Sequence, residues 1–245
     1  AMLSDQFLRS VSLKREGVPS FAEYPFNIPA VRHLDTLDLH PEVTFLVGEN
    51  GTGKSTLLEA LAVAAGFNPE GGSRNFNFST RETHAGLHEH LRLVRGVRRP
   101  RDGFFLRAET FYNAATYLES LEADGGLVPY GGESLHACSH GEAFMTLMTK
   151  RLRGNGLYVF DEPEAALSPT RQMALLSLMA GLARENSQFI IATHSPILMA
   201  YPRARIHVLS ADGITVTPYE ETEHYRVASD FFAHREGILR ELTGE

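Results

Sequence analysis

Short apolar runs alternate with longer amphipathic stretches along this chain. Leu157 to Phe160 and Phe189 to Thr193 are continuous apolar runs with the length of strands buried on both faces. Val43 to Val47 and Phe104 to Leu106 read the same way. Between these runs the spacing turns helical. Lys54 to Ala65 is rich in Leu and Ala and is stopped by Gly66. Glu109 to Leu121 is helix-like and ends at Asp124-Gly125-Gly126; Gly141 to Arg153 ends at Gly154-Asn155-Gly156. Pro169 to Glu185 is a long amphipathic helix, and Glu223 to Leu242 is a last one. Toward the N-terminus, Phe7 to Leu13 alternates weakly, Val18 to Pro29 carries three prolines and resists helix, and Thr36 to Leu39 is a strand before a His-Pro turn. Arg205 to Ser210 and Ile214 to Thr217, joined at Ala211-Asp212-Gly213, predict a hairpin. Residues 67 to 82 read as loop or irregular strand, and His84 to Val94 fits a strand or a short helix equally. Strands alternating with helices predict an α/β core with a mostly parallel sheet, preceded by an antiparallel β portion.

Composition narrows the setting. No apolar run approaches the ~20 residues of a membrane-spanning helix, and no secretory leader is read at the N-terminus, where Ala1 before Met2 is set aside. One cysteine, Cys138, excludes an internal disulfide and fits a reducing, cytoplasmic setting. A net charge of −7 gives no overall pull toward nucleic acid or anionic lipid, so such binding needs a local patch.

The candidate chemistry starts at Gly48-Glu49-Asn50-Gly51-Thr52-Gly53-Lys54-Ser55-Thr56, directly after the Val43 to Val47 run. Gly48, Gly53, Lys54 and Ser55 meet the pattern G-x-x-x-x-G-K-[ST], in the strand-then-helix context it requires. Glycines let backbone N–H groups turn inward around an anion, and the helix N-terminus adds positive partial charge at the same point. Lys54 can reach terminal phosphates and Ser55 can hold Mg²⁺.

Four further signals follow. Asp161 and Glu162 end the Leu157 to Phe160 strand, at the edge where open α/β sheets bind ligands. Asp161 is placed for the magnesium shell and Glu162 for polarising a water. His194 ends the next strand and can hydrogen-bond a phosphate or orient that water; among 11 histidines, position alone singles it out. Ser139, Gly141 and Glu142 open a helix, as a cap with an acidic first turn or as a second anion-binding end. Ser168 and Pro169 read as a helix cap and first turn.

Their order resembles the ATP-binding-cassette class of P-loop ATPases: Walker A, a signature at Ser139-His140-Gly141-Glu142, Walker B at Asp161-Glu162, a D-loop at Ala166-Leu167-Ser168-Pro169, and a switch histidine at His194. The resemblance covers roughly residues 40 to 210. It implies a P-loop NTPase fold, ATP and Mg²⁺ as ligands, and an ATP-dependent homodimer in which the signature of one copy closes over the P-loop of the other. Ser139-His140-Gly141-Glu142 departs from the Leu-Ser-Gly-Gly-Gln of most transporter subunits. It looks more like the recombination-repair and overcoming-lysogenization branches, loosely called AAA-family ATPases. Where the class has a glutamine after its second core strand, this chain has Glu109, whose carboxylate can take over the metal and water contact.

With only 84 residues between Ser55 and Ser139 there is no room for long coiled-coil arms, and the insertion, approximately 67–153, reads as a small helical lobe within a single domain spanning 2–245. It holds the one concentrated basic stretch, Arg92, Arg95, Arg98, Arg99 and Arg101, read first as a solvated hairpin tip and second as a nucleic-acid contact. Tyr24 and Phe26 are the nearest aromatics for an adenine pocket, with core packing the first reading for both. The expected function is Mg-dependent ATP hydrolysis that powers or switches a partner protein or nucleic-acid process. The alternatives are a transporter's ATP-binding subunit and a nucleotide-dependent DNA clamp in repair or defence.

Overall fold

The computed structural model describes residues 6–69, 71–73, 84–107 and 140–244. Among the described residues ten strands form two sheets. The larger contains β3 (Val43–Val47), β4 (Gly72–Ser73), β6 (Asp102–Arg107), β7 (Gly156–Asp161), β8 (Gln188–Ala192), β9 (Arg205–Ser210) and β10 (Gly213–Val216), in the order β10-β9-β3-β8-β7-β6-β4. The five central strands are parallel; β10 and β4 close the two edges antiparallel. The smaller sheet is antiparallel, with β1 (Leu8–Leu13) between β2 (Thr36–Asp38) and β5 (Leu91–Arg95).

Alternation along the central strands sorts side chains into two cores. Phe45, Phe104, Leu106, Tyr158, Phe160, Phe189 and Ile191 face one way. They meet α3 (His140–Arg151) and α4 (Pro169–Arg184) through Phe144, Leu147, Met148, Leu175 and Met179. Leu46, Phe105, Leu157, Val159 and Ile190 face the other way, onto Leu57, Leu58 and Leu61 of α2 (Lys54–Ala65), with the small sheet packed beyond through Leu8, Val11 and Leu37. Both faces are covered, as the continuous apolar run Phe189 to Ala192 of β8 requires.

The phosphate-loop helix ends as expected, with Gly66 at φ +100 donating its N–H to Ala62 and Val63 carbonyls. The ambiguous 84–94 stretch is both things: a 3₁₀ turn over His84–His90, then β5. One reading needs correction and one a refinement. The arginine-rich segment is not a hairpin tip, because β5 pairs with β1 in the small sheet while β6 pairs with β7 in the large one. Arg92 and Arg95 are exposed on β5, and Arg98, Arg99 and Arg101 on the connection between the sheets. Ser168 holds the N-cap position of α4 but accepts no capping hydrogen bond with its side chain; Pro169 at N1 supplies the helical start instead. The predicted helix 109–121 lies outside the described residues.

One tether between the sheets carried no local signal. Gln188, 1 % exposed, accepts from the Phe7 and Leu8 amides and donates to the Leu8 and His40 carbonyls. All four of its bonding directions are satisfied in the interior.

Candidate functional site

The parallel strands place Val47, Asp161 and Ala192 at one end of the large sheet. The loop after β3 turns there in a tight arc. Gly48 has φ +152, and a Cβ on it would lie 2.2 Å from the Leu209 carbonyl oxygen, so the loop can pass β9 only without a side chain. The Thr52 hydroxyl donates to the Glu49 carbonyl at 2.8 Å and the Ala30 amide to the Thr52 carbonyl, fixing the arc on α1 (Pro29–Arg32). Lys54 is 3 % exposed and folds back over the loop, donating to the carbonyls of Gly48 at 2.7 Å and Glu49 at 3.0 Å. Burial pulls its ammonium below the usual lysine range, against the opposing pull of Glu162, Asp161 and Glu164. The resulting concavity has a volume of about 310 Å³ and is lined by Asn50, Gly51, Lys54, Ser55, Thr56 and Glu162, with Tyr24 and Ile28 at its rim.

Ser55 and Asp161, 106 residues apart, meet across the sheet end, where the Ser55 hydroxyl donates to Asp161 Oδ1 at 3.0 Å. A hydroxyl and a carboxylate side by side suit Mg²⁺, which takes one or two protein oxygens and completes its octahedron with phosphates and water. Among the described residues no cluster of three or more His, Cys, Asp or Glu could hold a metal by protein ligands alone. Arg107, the last residue of β6, is the Cα partner of Asp161 and pairs with Glu59 of α2 at 2.9 Å. Glu109 is two residues further on and lies outside the described residues, as does Ser139.

Glu162 follows at φ +49, its amide held by the Ala192 carbonyl at 2.9 Å. This left-handed turn swings its half-buried carboxylate toward His194, whose Nε2 is 3.6 Å from Glu162 Oε1. A third carboxylate was missed in the sequence. Glu164 Oε1 accepts the His194 amide at 2.6 Å, so the Walker-B turn and the histidine loop are bolted together. Burial raises the Glu164 carboxyl above its usual range. The His194 imidazole is lowered by burial and then by Lys54, with Glu162 opposing. The doubled acid-Pro-acid spacing of Asp161, Glu162 and Glu164 was the available signal.

The signature residues sit elsewhere. Gly141 and Glu142 begin α3 and pack on the D-loop and α4: a Cβ on Gly141 would meet the Ala166 carbonyl at 3.0 Å and Arg171, and Glu142 pairs with Arg171 at 3.1 Å. Neither lines the phosphate cavity of its own chain. Of the two candidate aromatics, Phe26 is core, 5 % exposed, whereas Tyr24 is 51 % exposed on the cavity rim. For Tyr24 the packing reading is therefore corrected.

A glycine-rich arc over a buried lysine, a hydroxyl–carboxylate pair, a strand-end glutamate and a facing histidine make a site similar to that of P-loop ATPases of the ATP-binding-cassette class. Residues 16–98 match the family described as "AAA domain", and residues 141–200 the one described as "AAA domain, putative AbiEii toxin, Type IV TA system". The L-cystine transport system ATP-binding protein TcyN of Escherichia coli is 25% identical over 194 residues, covering 69% of this chain and 76% of that protein. The macrolide export ATP-binding/permease protein MacB of Marinobacter nauticus is 26% identical over 216 residues, 79% of this chain; the chain spans only 32% of that protein's length. Among solved structures, a chain of a metal-chelate type ABC transporter in an inward-facing conformation superposes with a TM-score of 0.50 at 18% identity, covering 91% of this chain and 88% of that one. At that identity the likeness is one of fold. Among the described residues no helix is long and apolar enough to cross a membrane.

Proposed function

We propose that this chain binds MgATP in the Gly48–Thr56 arc and hydrolyses it when a second copy closes over the nucleotide. The observation carrying this reading is a division of labour. Lys54, Ser55 and Glu162 line one cavity, with Asp161 bonded to Ser55 and His194 beside Glu162, while Gly141 and Glu142 are absent from it and pack against Arg171. A site lacking its signature in cis is completed by a partner copy related by a two-fold axis.

In this reading the loop amides of Asn50, Gly51, Thr52 and Gly53 cradle the phosphates. Lys54 exchanges its carbonyl contacts for the β- and γ-phosphates, and Thr56 borders the α-phosphate. Tyr24 faces the base. Ser55 and Asp161 hold Mg²⁺, directly or through its water, and Glu109 is a further candidate for that contact. When bound, the ion neutralises charge developing on the phosphate oxygens. Glu162 accepts a proton from the in-line water, and His194 and the partner's signature stabilise the leaving charge.

The test is the solution mass of Glu162→Gln by light scattering. Dimerisation only with MgATP supports the reading. A monomer in both states, with bound ATP demonstrated separately, overturns it.

A second reading, the ATP-binding subunit of a transporter, is favoured by the names of the curated relatives. Co-purification of the native chain with a membrane protein would carry it; purification of the native protein free of one would count against it.

A further inference from the structure

We propose that His224, on the C-terminal helix α6 (Glu223–Thr243), is a positioning residue for His194, holding that ring as the tautomer that points an Nε2–H at the γ-phosphate side of the site. This rests on the reading of His194 given above and adds a residue outside every motif of the sequence.

The two rings lie with centroids 5.5 Å apart, and His194 Nδ1 is 3.3 Å from His224 Nε2. An N–H···N bond between imidazoles has one donor and one acceptor. The bond needs a bare nitrogen on the accepting ring, and burial, with nearby positive charge, lowers both rings and so favours their neutral forms. The direction follows from the other side of His194. Its Nε2 is buried without a hydrogen-bond partner among the described residues and faces Glu162 Oε1 at 3.6 Å. If His194 donated from Nδ1, a bare Nε2 lone pair would be aimed at a carboxylate. If His224 donates, the proton of His194 sits on Nε2 and faces the Glu162 carboxylate, which itself lines the phosphate cavity. The second arrangement is electrostatically favoured.

The rest of α6 explains why His224 is steady enough for this task. No residue of the helix is buried, and Val227, Phe232 and Leu242 are exposed. Only the start of the helix is pinned. Thr222, 1 % exposed, accepts from the Tyr225 amide and donates to the Tyr219 carbonyl at 2.7 Å. Tyr219 in turn donates to the Pro196 carbonyl at 2.9 Å and packs against Tyr225 with the rings tilted by 58°. Pro196 opens α5 (Pro196–Met199), two residues after His194. The anchoring of α6 therefore ends on the loop that carries the switch histidine.

The experiment is a double-mutant cycle on the full chain, with kcat, KM and ATP affinity measured for His224→Leu, His224→Gln, His194→Ala and the double variant His194→Ala/His224→Leu. His224→Leu should lower kcat about tenfold while ATP affinity stays within about twofold, since it removes an orienting bond and no nucleotide contact. His224→Gln, whose amide N–H can donate from the same place, should recover most of the loss. The double variant should be no slower than His194→Ala alone, because His224 acts through that ring. Losses that multiply in the double variant, or His224→Gln as slow as His224→Leu, overturn the inference. So does a wild-type rate for His224→Leu beside an impaired His194→Ala. A wild-type rate for His194→Ala defeats the reading of His194 itself, and the inference with it. Should His224→Leu lower the melting temperature, His224→Ala and the Gln comparison carry the same decision.

Discussion

Two glycines of the phosphate arc make a quantitative test of how the site is built. Gly48 and Gly51 both have positive φ, +152 and +84, so alanine at either is strained by about 1–3 kcal/mol. Against this, alanine narrows the unfolded ensemble and returns about 0.4–1 kcal/mol. The surroundings separate them. A Cβ on Gly51 meets nothing within 4 Å, whereas one on Gly48 would lie 2.2 Å from the Leu209 carbonyl oxygen and 3.1 Å from the Thr52 hydroxyl. The Leu209 oxygen belongs to the backbone of β9, which pairs in register with β3, so it cannot swing aside like a side-chain tip. Relief requires moving the arc or the strand, at a further cost of about 1–3 kcal/mol. Gly51→Ala should therefore lose roughly 1 kcal/mol of stability, and Gly48→Ala on the order of 3–5 kcal/mol, a large share of a domain's margin. Urea denaturation gives the stabilities, and titration with a fluorescent ATP analogue gives the affinities. Gly48→Ala should also bind nucleotide far more weakly, because its arc no longer points its amides inward. Equal destabilisation by the two substitutions would refute the argument that close approach to β9, rather than backbone conformation alone, demands glycine at residue 48.

Three other outcomes are expected. Lys54→Met should weaken ATP binding on the order of 10- to 100-fold by removing a charged donor to phosphate, with little change in melting temperature, because the buried ammonium's desolvation offsets its two carbonyl contacts. Mixing inactive Lys54→Met and Glu142→Ala proteins should restore roughly a quarter of the wild-type rate, since half the dimers are mixed and each has one intact site. No recovery would place the signature in cis. For Asp102, burial works to raise the carboxyl, but Arg151 at 2.7 Å, the Tyr158 hydroxyl and the Gly103 amide outweigh it and hold it below its usual value. Its contribution is present above the unfolded value of about 3.9 and is lost as pH falls through the lowered native value. The destabilisation caused by Asp102→Asn should thus be largest near neutral pH and shrink in urea melts near pH 3. A pH-independent difference would contradict it.

The amino-acid sequence by itself determined the local machinery. A phosphate loop needs particular backbone angles and a lysine at one offset, and these are properties of consecutive residues, so Gly48 to Thr56 and the helix to Gly66 were legible without a fold. Asp161 and Glu162 were legible for a related reason, since they close an unmistakable buried strand. What depends on which strands become neighbours was not local. Sheet order alone put Ala192 beside both Leu46 and Asp161, brought His194 to Glu162, and inserted β6 into the large sheet while β5 joined the small one. Tyr24 lines the cavity and Phe26, two residues away, fills the core, because the chain turns between them. Glu164, Gln188 and His224 act through partners 30 to 181 residues distant, and no short-range pattern encodes such pairings. Hydrogen-bond partners that far apart are chosen by packing, and packing is decided only when both cores close.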